Sequence, residues 1–555
     1  MHNERKNKGG NVVKQLYCHA QVITMEEDKQ GQIKTAQAVL VSDGKIEAVG
    51  EEAELQTLAG EDCERIDCGG GALLTSYIDP PSHLTALAQT LAYCDLSSAT
   101  SFGQIVEQLV AFASKKEWKQ GDWLIAFGYD HNNLEEKAHP DRHLLDQAAE
   151  KIKQSKGVFL PIAMTHASGH MGVMSTMALE KLGVDAQTPA PEGGVIGREA
   201  DGTPSGYLEE KAFIERTAQL PKPSKEDSMR NIEQAQKIYW SYGITTIQDG
   251  LTKTPEWELL HEMAEQGRLH SDVVCYVDLL DHRDLAVNNP DYTGRYRHHL
   301  RIGGYKIFLD GSPQGRTAWM TQPYEGGTDC GYPIYHDAKV REFVEQSVKD
   351  GRQLLAHCNG DAAAQQYLDA CRGVENVASI RPVMIHAQTL RPDQLPQLKE
   401  VGMIPSYFVA HTWFWGDVHL QNLGKQRAEN ISPLHATEEL GIPYTLHQDT
   451  PVIPPDMLQT VWCAVNRRSK GGHSMGEAQK VSVAQALKAV TVSAAYQYFE
   501  EKEKGSIAPG KWADFVLLSE NPLTQPPENI VNIDILKTFF HGKKLYDNER
   551  KEDNL

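Results

Sequence analysis

Residues 353–388 carry the pattern that most restricts how this chain can fold. Two short apolar runs, 354–356 and 382–385, end in His357 and His386, and a helix-like segment separates them. This pattern indicates a strand–helix–strand unit in which the two strands are parallel and adjacent. The histidines are 29 residues apart, which is about what such a unit requires. Both imidazoles are therefore expected at the carboxyl ends of neighbouring parallel strands.

Further apolar runs occur at similar intervals along the chain. They are 72–79, 243–249, 273–277, 304–310, 403–408 and 443–449. Together with the two histidine strands they give eight strands that alternate with helical segments. This arrangement predicts an α/β fold with a (β/α)8 TIM-like barrel, whose active site lies at the carboxyl ends of the strands.

The rest of the chain predicts two further parts. Short strands with turns occur at 10–74 and again at 503–550, so we expect a β-sandwich domain built from both termini. Residues 75–502 form the predicted barrel domain. The interval of about 90–235 far exceeds an ordinary connection between two strands, and we expect an inserted cap domain there, after barrel strand 1.

Composition and charge restrict the partners of the chain. The net charge of −20 provides no basic surface, which argues against nucleic acid or an anionic membrane. Nine cysteines without a Cys-x-x-Cys pair indicate free thiols in a reducing compartment. We find no leader-like segment and no apolar run of bilayer length, so we expect a cytoplasmic protein with a small-molecule substrate, and a homodimer as an option.

Polar side chains at the predicted strand ends indicate a metal site. These side chains are His83, Lys306, His357, His386 and Asp449. Imidazole and carboxylate are the ligands that zinc and similar divalent ions prefer, so one or two divalent ions are expected, with zinc as the first choice. Such an ion can generate hydroxide from water at neutral pH.

Each of these residues also has a plainer interpretation. His357 and His386 could be a buried, hydrogen-bonded pair. Lys306, inside an apolar strand, either pairs with a carboxylate or is carbamylated to act as an anionic ligand. Asp449 could simply cap the helix that follows.

Four stretches resemble the amidohydrolase superfamily, specifically its long formamide-deformylase-like branch. They are GYKIFLDGSPQGRTAWMTQPYEG (304–326), LLAHCNGDAA (354–363), IHAQTLRPDQL (385–395) and GSIAPGKWADFVLLS (505–519). The resemblance covers nearly the whole chain. It implies metal-dependent hydrolysis of a C–N bond other than a peptide bond, in a small amide or an N-substituted formamide.

The resemblance also implies roles for the strand-end residues. His357 and His386 would be metal ligands on strands 5 and 6. Lys306 would be the strand 4 position, which is carbamylated in some relatives. Asp449 would be both a ligand and the catalytic carboxylate, which takes a proton from the metal-activated water and passes it to the leaving amine.

Two further histidines are expected near the substrate. His411 follows strand 7, and His170 lies in the inserted segment, each where this branch has a histidine. The aromatic side chains of Trp413, Phe414 and Trp415 line an apolar pocket in one interpretation and merely pack in the other.

The chain departs from the family pattern at strand 1. The family closes this strand with a His-x-His pair, whereas the chain has Pro81-Ser82-His83, and proline offers no ligand atom. His447 and Gln448 also replace the small residues that usually precede Asp449. The set of ligands is therefore expected to be depleted near strand 1.

Two ligand sets and three functions remain open on this basis. One ion could be held by His357 and His386 with Lys306, or by His83, His357 and Asp449 with an open position. The leading hypothesis is a hydrolase of the kind described. The alternative is a catalytically impaired relative that binds a small molecule in a regulatory role, and a metal-assisted lyase or isomerase is the third.

Overall fold

A computed structural model describes residues 14–131, 133–166, 171–221 and 223–548 of the chain. By its internal packing the chain divides into two units. The first unit ends at Thr85 and resumes at Ala235, and the second is Ala86–Gln234. In the described residues no helix is long and apolar enough to cross a membrane.

Eight parallel strands of the first unit form one sheet, and they neighbour each other in chain order. Barrel strands 1 to 8 are Tyr77–Asp79, Ile244–Thr252, Asp272–Asp278, Leu300–Phe308, Gln353–Cys358, Val383–His386, Ile404–Tyr407 and Thr445–Leu446. Beyond the ends of strands 1 and 8, the N–H of His83 donates to the carbonyl of Thr450 at 3.0 Å. The barrel is thus nearly closed, and the predicted (β/α)8 barrel is confirmed.

The barrel strands are almost continuously buried, as expected for parallel strands covered by helices. Glycine sets the point at which one of these helices gives way to a strand. The helix Asp337–Asp350 ends at Gly351, which has φ +62° and donates to the carbonyl of Ser347. Strand 5 begins two residues later, at Gln353. Residues other than glycine rarely adopt this left-handed conformation at low cost.

Short helices alternate with the barrel strands and extend beyond strand 8. The α-helices that lie wholly in the first unit are Glu52–Ala59, Thr254–Glu265, Asp284–Asn288, Asp337–Asp350, Asp361–Cys371, Leu395–Val401, His411–Phe414, Gly416–Ala428, Leu434–Glu439, Met457–Asn466, Val483–Ala489 and Val492–Gln497. The helices Leu84–Thr90 and Lys225–Ser241 span the limits of the two units. Four 3-10 helices are Pro290–Tyr292, Val377–Ile380, Glu477–Gln479 and Pro527–Asn532.

The segment 72–79, predicted as one barrel strand, forms two strands in different sheets. Ala72–Thr75 lies in a six-stranded sheet, and only Tyr77–Asp79 enters the barrel. The chain changes sheets at Ser76, whose N–H donates to the carbonyl of Asp514 at 2.9 Å. The single-strand prediction was wrong because a continuous apolar run does not reveal that its two halves have different partners.

Strands from both ends of the chain form two sheets around one core. In spatial order, the six-stranded sheet contains Lys543–Asp547, Ile535–Phe540, Phe515–Leu518, Ala72–Thr75, Gln21–Glu27 and Ile33–Ala36. The four-stranded sheet contains Lys45–Gly50, Ala38–Ser42, Lys14–Cys18 and Glu64–Asp67. In the shared core, the ring of Tyr17 meets Phe515 and Phe539 edge-on at 5.0 and 5.1 Å. The domain limits 10–74, 503–550 and 75–502 stay predictions.

The second unit has a mixed sheet and a core of its own. In spatial order its strands are Gly194–Arg198, Pro204–Glu210, Met171–Met174, Ile162–His166, Leu124–Tyr129 and Cys94–Asp95. Its complete helices are Phe102–Ser114, Arg142–Lys156, Thr176–Lys181 and Lys211–Thr217. The apolar faces of the first two helices bury Leu109 and Ile152 in this core. The limits of about 90–235 and the cap role stay predictions.

A buried group of charges connects the segment after the last α-helix to barrel strands 2, 3 and 4. The ammonium of Lys504 donates to Asp272 Oδ2 at 2.6 Å and to Thr246 Oγ1 at 3.0 Å. Glu500 contacts Lys504 and Arg301 at 3.0 Å, as ion pairs without hydrogen-bond geometry. Burial alone would lower the pKa of Lys504, but the two carboxylates hold it well above its usual range. Buried charges of this kind are stable only as a group.

Asp514, in the same region, predicts how stability changes with pH. Burial raises the pKa of this carboxyl to about 7, and among the described residues Oδ2 has no hydrogen-bond partner. The folded chain therefore keeps a proton that the unfolded chain releases near pH 4, so this contribution to stability is complete in acid and is lost as pH rises to about 7.

We expect the variant D514N to remove this pH dependence. Because asparagine resembles the protonated acid, the variant should gain about 1–4 kcal/mol relative to wild type between pH ~5 and ~8. Urea unfolding at the two pH values measures the difference. The exposed Asp534 provides the control D534N, which should follow the wild type, and parallel curves for D514N and wild type would contradict the prediction.

Candidate metal centre

The predicted ligands lie at the carboxyl ends of neighbouring barrel strands. Lys306 is in strand 4, His357 is in strand 5, and His386 is the last residue of strand 6. His83 follows strand 1, and Asp449 follows strand 8. Because the carboxyl ends of parallel strands share one rim, the fold brings these five side chains together.

Imidazoles from three strands make a chain of close contacts. The Nε2 atom of His386 lies 3.0 Å from Nδ1 of His357, and Nδ1 of His386 lies 3.2 Å from Nε2 of His447. Each of His386, His447 and Asp449 offers a ligand atom, and these atoms all lie within 4.8 Å of one another. One metal ion can bridge atoms at this spacing.

Outer groups hold two of the rings. His83 Nδ1 lies 2.8 Å from the carbonyl of Gly250, which only accepts, so this nitrogen carries a hydrogen. His357 Nε2 lies 3.0 Å from the carbonyl of Gly311 and 3.1 Å from the amide nitrogen of Asn359. When Nε2 of His357 carries the hydrogen, Nδ1 presents its lone pair to the site. Metal-binding histidines are held by outer groups in the same way.

His83 and Asp449 form an ion pair beside this chain of rings. The Nε2 atom of His83 lies 3.2 Å from Asp449 Oδ1. Burial alone would lower the pKa of His83, but the carboxylate of Asp449 and the carbonyl of Gly250 raise it. A proton between Nε2 and the carboxylate satisfies this contact and holds Asp449 at the rim.

The ionisation states also fit a divalent ion. Burial lowers the pKa of His357 to about 4 and that of His447 to about 3, and it holds the pKa of His386 well below its usual range. These rings are neutral at pH 7, which is the form that binds metal. Burial alone would raise the pKa of Asp449, but His83, His386 and His447 hold it well below its usual range. Neutral nitrogens and an ionised carboxylate are what zinc requires.

Lys306 lies beside this group, with 1% of its surface exposed. Burial lowers the pKa of its amine to about 8, and Asp449 acts in the opposite direction. Its Nζ atom lies 5.1 Å from the centre of the Phe308 ring. Within the described ranges no ion pair joins Lys306 to a carboxylate, so the structure does not support the plainer interpretation of this residue.

Two of the candidate ligand residues have unusual backbone conformations. His386 has φ +70° and Asp449 has φ +55°, in the left-handed region that residues with a side chain rarely adopt. Strain of this kind persists where the surrounding structure holds it, and it is frequent at functional sites.

Of the two predicted substrate residues, the structure describes His411, which is not a member of the group within 4.8 Å. His411 is buried, and its Nδ1 atom lies 3.0 Å from His419 Nε2. His170 lies outside the described residues. The ring of Trp413 packs edge-on against Trp462 at 5.0 Å. The substrate contacts of His411 and His170 stay predictions.

The predicted ligands did not include His447, which the structure brings into this group. The signal was its position two residues before Asp449. The alternative set of His83, His357 and Asp449 does not form a group within 4.8 Å among the described residues. In the barrel, the group with ligand atoms within 4.8 Å of one another consists of His386, His447 and Asp449, without His83 or His357.

Ligand-type side chains also cluster in the second unit. The ligand atoms of Asp130, His131 and His166 lie within 4.8 Å of one another. His131 Nδ1 lies 3.2 Å from His166 Nε2, and a single proton between these two atoms satisfies the pair.

A barrel of parallel strands that brings nitrogen and oxygen ligand atoms together at its carboxyl rim is the arrangement found in metal-dependent barrel enzymes. The model of the "Amidohydrolase family" matches residues 64–546. The chain therefore belongs to the amidohydrolase family, and the resemblance found in the sequence is confirmed. Members of this family are metal-dependent hydrolases.

Named relatives match along almost their whole length. YtcJ of Bacillus subtilis (strain 168), which has a provisional amidohydrolase name, is 26% identical over 520 residues, covering 92% of this chain and 96% of YtcJ. N-substituted formamide deformylase of Arthrobacter pascens is 25% identical over 533 residues, covering 92% of this chain and 95% of that protein. An uncharacterized metal-dependent hydrolase from Pyrococcus furiosus superposes with a TM-score of 0.73 at 23% identity, covering 92% of this chain and 100% of that one, which shows the shared fold.

Proposed function

We propose that this chain hydrolyses a C–N bond other than a peptide bond, in a small amide or an N-substituted formamide, with a divalent metal ion as cofactor. The observation that carries the proposal is the group of His386, His447 and Asp449, whose ligand atoms all lie within 4.8 Å of one another. This group lies at the rim where barrel enzymes keep their chemistry. Similarity to the formamide deformylase supports the substrate class.

Zinc is the ion we propose, with one or two ions per chain. Imidazole nitrogens with one carboxylate are a common ligand set of catalytic zinc, and such sites leave a position open. When bound, the ion lowers the pKa of water to about 7 and polarises the substrate carbonyl. The residues that would hold it are His386, His447 and Asp449, with His83 and His357 beside them.

Asp449 transfers the proton in this proposal. Its carboxylate is ionised at pH 7, so it can accept a proton from the attacking water and deliver it to the leaving nitrogen, which departs as a neutral amine. His83 positions this carboxylate, since its own ring is fixed by the carbonyl of Gly250. Burial of the group keeps bulk water from competing for the proton.

Lys306 supplies an additional ligand if it is carbamylated. Only a neutral amine adds carbon dioxide, and a pKa of about 8 leaves part of this amine neutral at pH 7. The resulting carbamate offers anionic oxygens close to Asp449, where a second ion would need them. We propose that Lys306 carries this modification.

Metal removal provides the test of the proposed function. The chain should be expressed with ample zinc, stripped with a chelator, and assayed before and after zinc is restored on a panel of small amides and N-substituted formamides. We expect hydrolysis of at least one compound, its loss to the detection limit after chelation, and its recovery with zinc. Purified chain without bound metal, or hydrolysis that survives complete stripping, would contradict the proposal.

Pro81 favours a second candidate function, a relative that binds a small molecule without turnover. In that case the zinc-loaded wild type should be inactive on the whole panel, and the variant P81H should gain hydrolysis. Turnover by the wild type rules this candidate out.

A further inference from the structure

Position 81, just after strand 1, is a proline without a ligand atom, and hydrogen bonds connect the neighbouring Pro80 to His447. The carbonyl of Pro80 accepts a hydrogen bond from the hydroxyl of Ser406 at 2.9 Å. The same hydroxyl lies 3.0 Å from Nδ1 of His447. One serine therefore joins the end of strand 1 to a histidine that follows strand 8, which lies across the seam of the barrel.

We propose that His447 is a metal ligand, and that from strand 8 it replaces the imidazole that strand 1 lacks at position 81. This inference rests on the metal-dependent function proposed above. The ion would then be bound by residues that follow strands 6 and 8 rather than strand 1. His83 would remain the partner of Asp449.

The hydroxyl of Ser406 determines where His447 carries its hydrogen. The carbonyl of Pro80 can only accept, so Ser406 donates its single hydrogen to it. The oxygen of Ser406 then accepts from the Nδ1–H of His447. The Nε2 atom of His447 is left with its lone pair, which faces Nδ1 of His386 at 3.2 Å.

The ring of His386 lies between those of His447 and His357. Its Nδ1 atom lies 3.2 Å from His447 Nε2, and its Nε2 atom lies 3.0 Å from His357 Nδ1. The lone pair of His447 therefore needs either the Nδ1–H of His386 or a cation as its partner. When His357 carries its hydrogen on Nε2, toward the carbonyl of Gly311, His386 has one hydrogen for two lone pairs, and a cation satisfies the remaining one.

A divalent ion held by His386, His447 and Asp449 would be that cation. The Nε2–H of His386 would then be free to donate to His357. The spacing is also suitable: in tetrahedral zinc sites with zinc–nitrogen distances of about 2.0–2.1 Å, ligand atoms lie about 3.3–3.4 Å apart. The distance of 3.2 Å between His386 Nδ1 and His447 Nε2 is close to this value.

Zinc binding to the full-length chain tests the inference directly. Chain stripped of metal is titrated with Zn²⁺ in a calorimeter, and its fold is checked by circular dichroism. We expect H447A to weaken binding by at least about 100-fold, since even outer-shell changes cost about 10–100-fold. The control is H435A, because His435 is 49% exposed and pairs only with its helix neighbour Glu439. This control should bind like the wild type.

Returning a histidine to strand 1 gives a rescue experiment. The double variant P81H/H447A is expected to bind zinc at least about 10-fold more tightly than H447A, because the imidazole is again at the rim. If H447A does not fold, the variant S406A takes its place in the zinc titration. This variant keeps His447 but removes the hydroxyl that accepts its Nδ1–H, and it should weaken zinc binding by about 10–100-fold.

The outcomes separate this inference from the proposed function. A wild type that binds zinc while H447A, or S406A in its place, binds equally well overturns the role of His447 and leaves the hydrolase proposal standing. A wild type that binds no zinc overturns both. Weakened binding in H447A or S406A with an unchanged H435A supports the inference.

Discussion

The variant D449N is expected to lose about 10⁴-fold in kcat/KM on whichever amide the wild type hydrolyses best. Asparagine keeps the shape of the side chain but cannot accept a proton at neutral pH. It also removes the negative charge that offsets a bound cation beside His386 and His447. Both changes act on the same step, so the loss should reach the upper end of the range for a general base.

A second aspartate provides the control for this experiment. Asp393 is largely exposed and pairs with Arg391 on the surface, so D393N should retain full activity. Steady-state kinetics with zinc in excess separate loss of catalysis from loss of metal. A decrease of less than about 10-fold in D449N would contradict its assignment as the proton-transfer group.

Replacement of Lys504 by methionine is expected to cause the largest loss of stability, about 3–5 kcal/mol. Methionine matches the length of the lysine stem but leaves the carboxylates of Asp272 and Glu500 without their shared cation. Both carboxylates are nearly inaccessible, and the remaining contacts to His299 and Arg301 compensate for only part of the lost charge. Urea unfolding of the full-length chain measures the change.

The surface lysine Lys425 provides the matched control. It is 81% exposed and lies 3.9 Å from Glu429, one helical turn away. The variant K425M should change the free energy of unfolding by no more than about 0.5 kcal/mol. Restoring neutrality with the double variant K504M/D272N should recover part of the loss, because fewer charges are then buried without a partner. Equal stability of K504M and K425M would contradict the buried charge group.

The barrel could be predicted because its signal is local. Parallel strands buried on both faces give short apolar runs, and their carboxyl ends are marked by residues such as His357 and His386. Because the carboxyl ends of all the barrel strands lie at one rim, the fold brings such residues together however far apart they are in the chain. For that reason the predicted ligands meet in the structure although 366 residues separate His83 from Asp449.

The parts that could not be predicted depend on contacts between distant segments. The break at Ser76 depends on a backbone contact with Asp514, which no local pattern in 72–79 reveals. The role of His447 depends on Ser406 and Pro80, which belong to two other strands and set which nitrogen carries the hydrogen. Sequence shows which residues can act as ligands, whereas the hydrogen bonds behind them decide which ones do.

Anomalous diffraction from a crystal of the full-length chain soaked in zinc would show whether the rim of the barrel binds a metal ion. We expect an anomalous peak at the carboxyl rim, at about 2.0–2.2 Å from nitrogens of His386 and His447 and an oxygen of Asp449. A fully soaked crystal with no peak there, and with these side chains bonded only to one another, would contradict it.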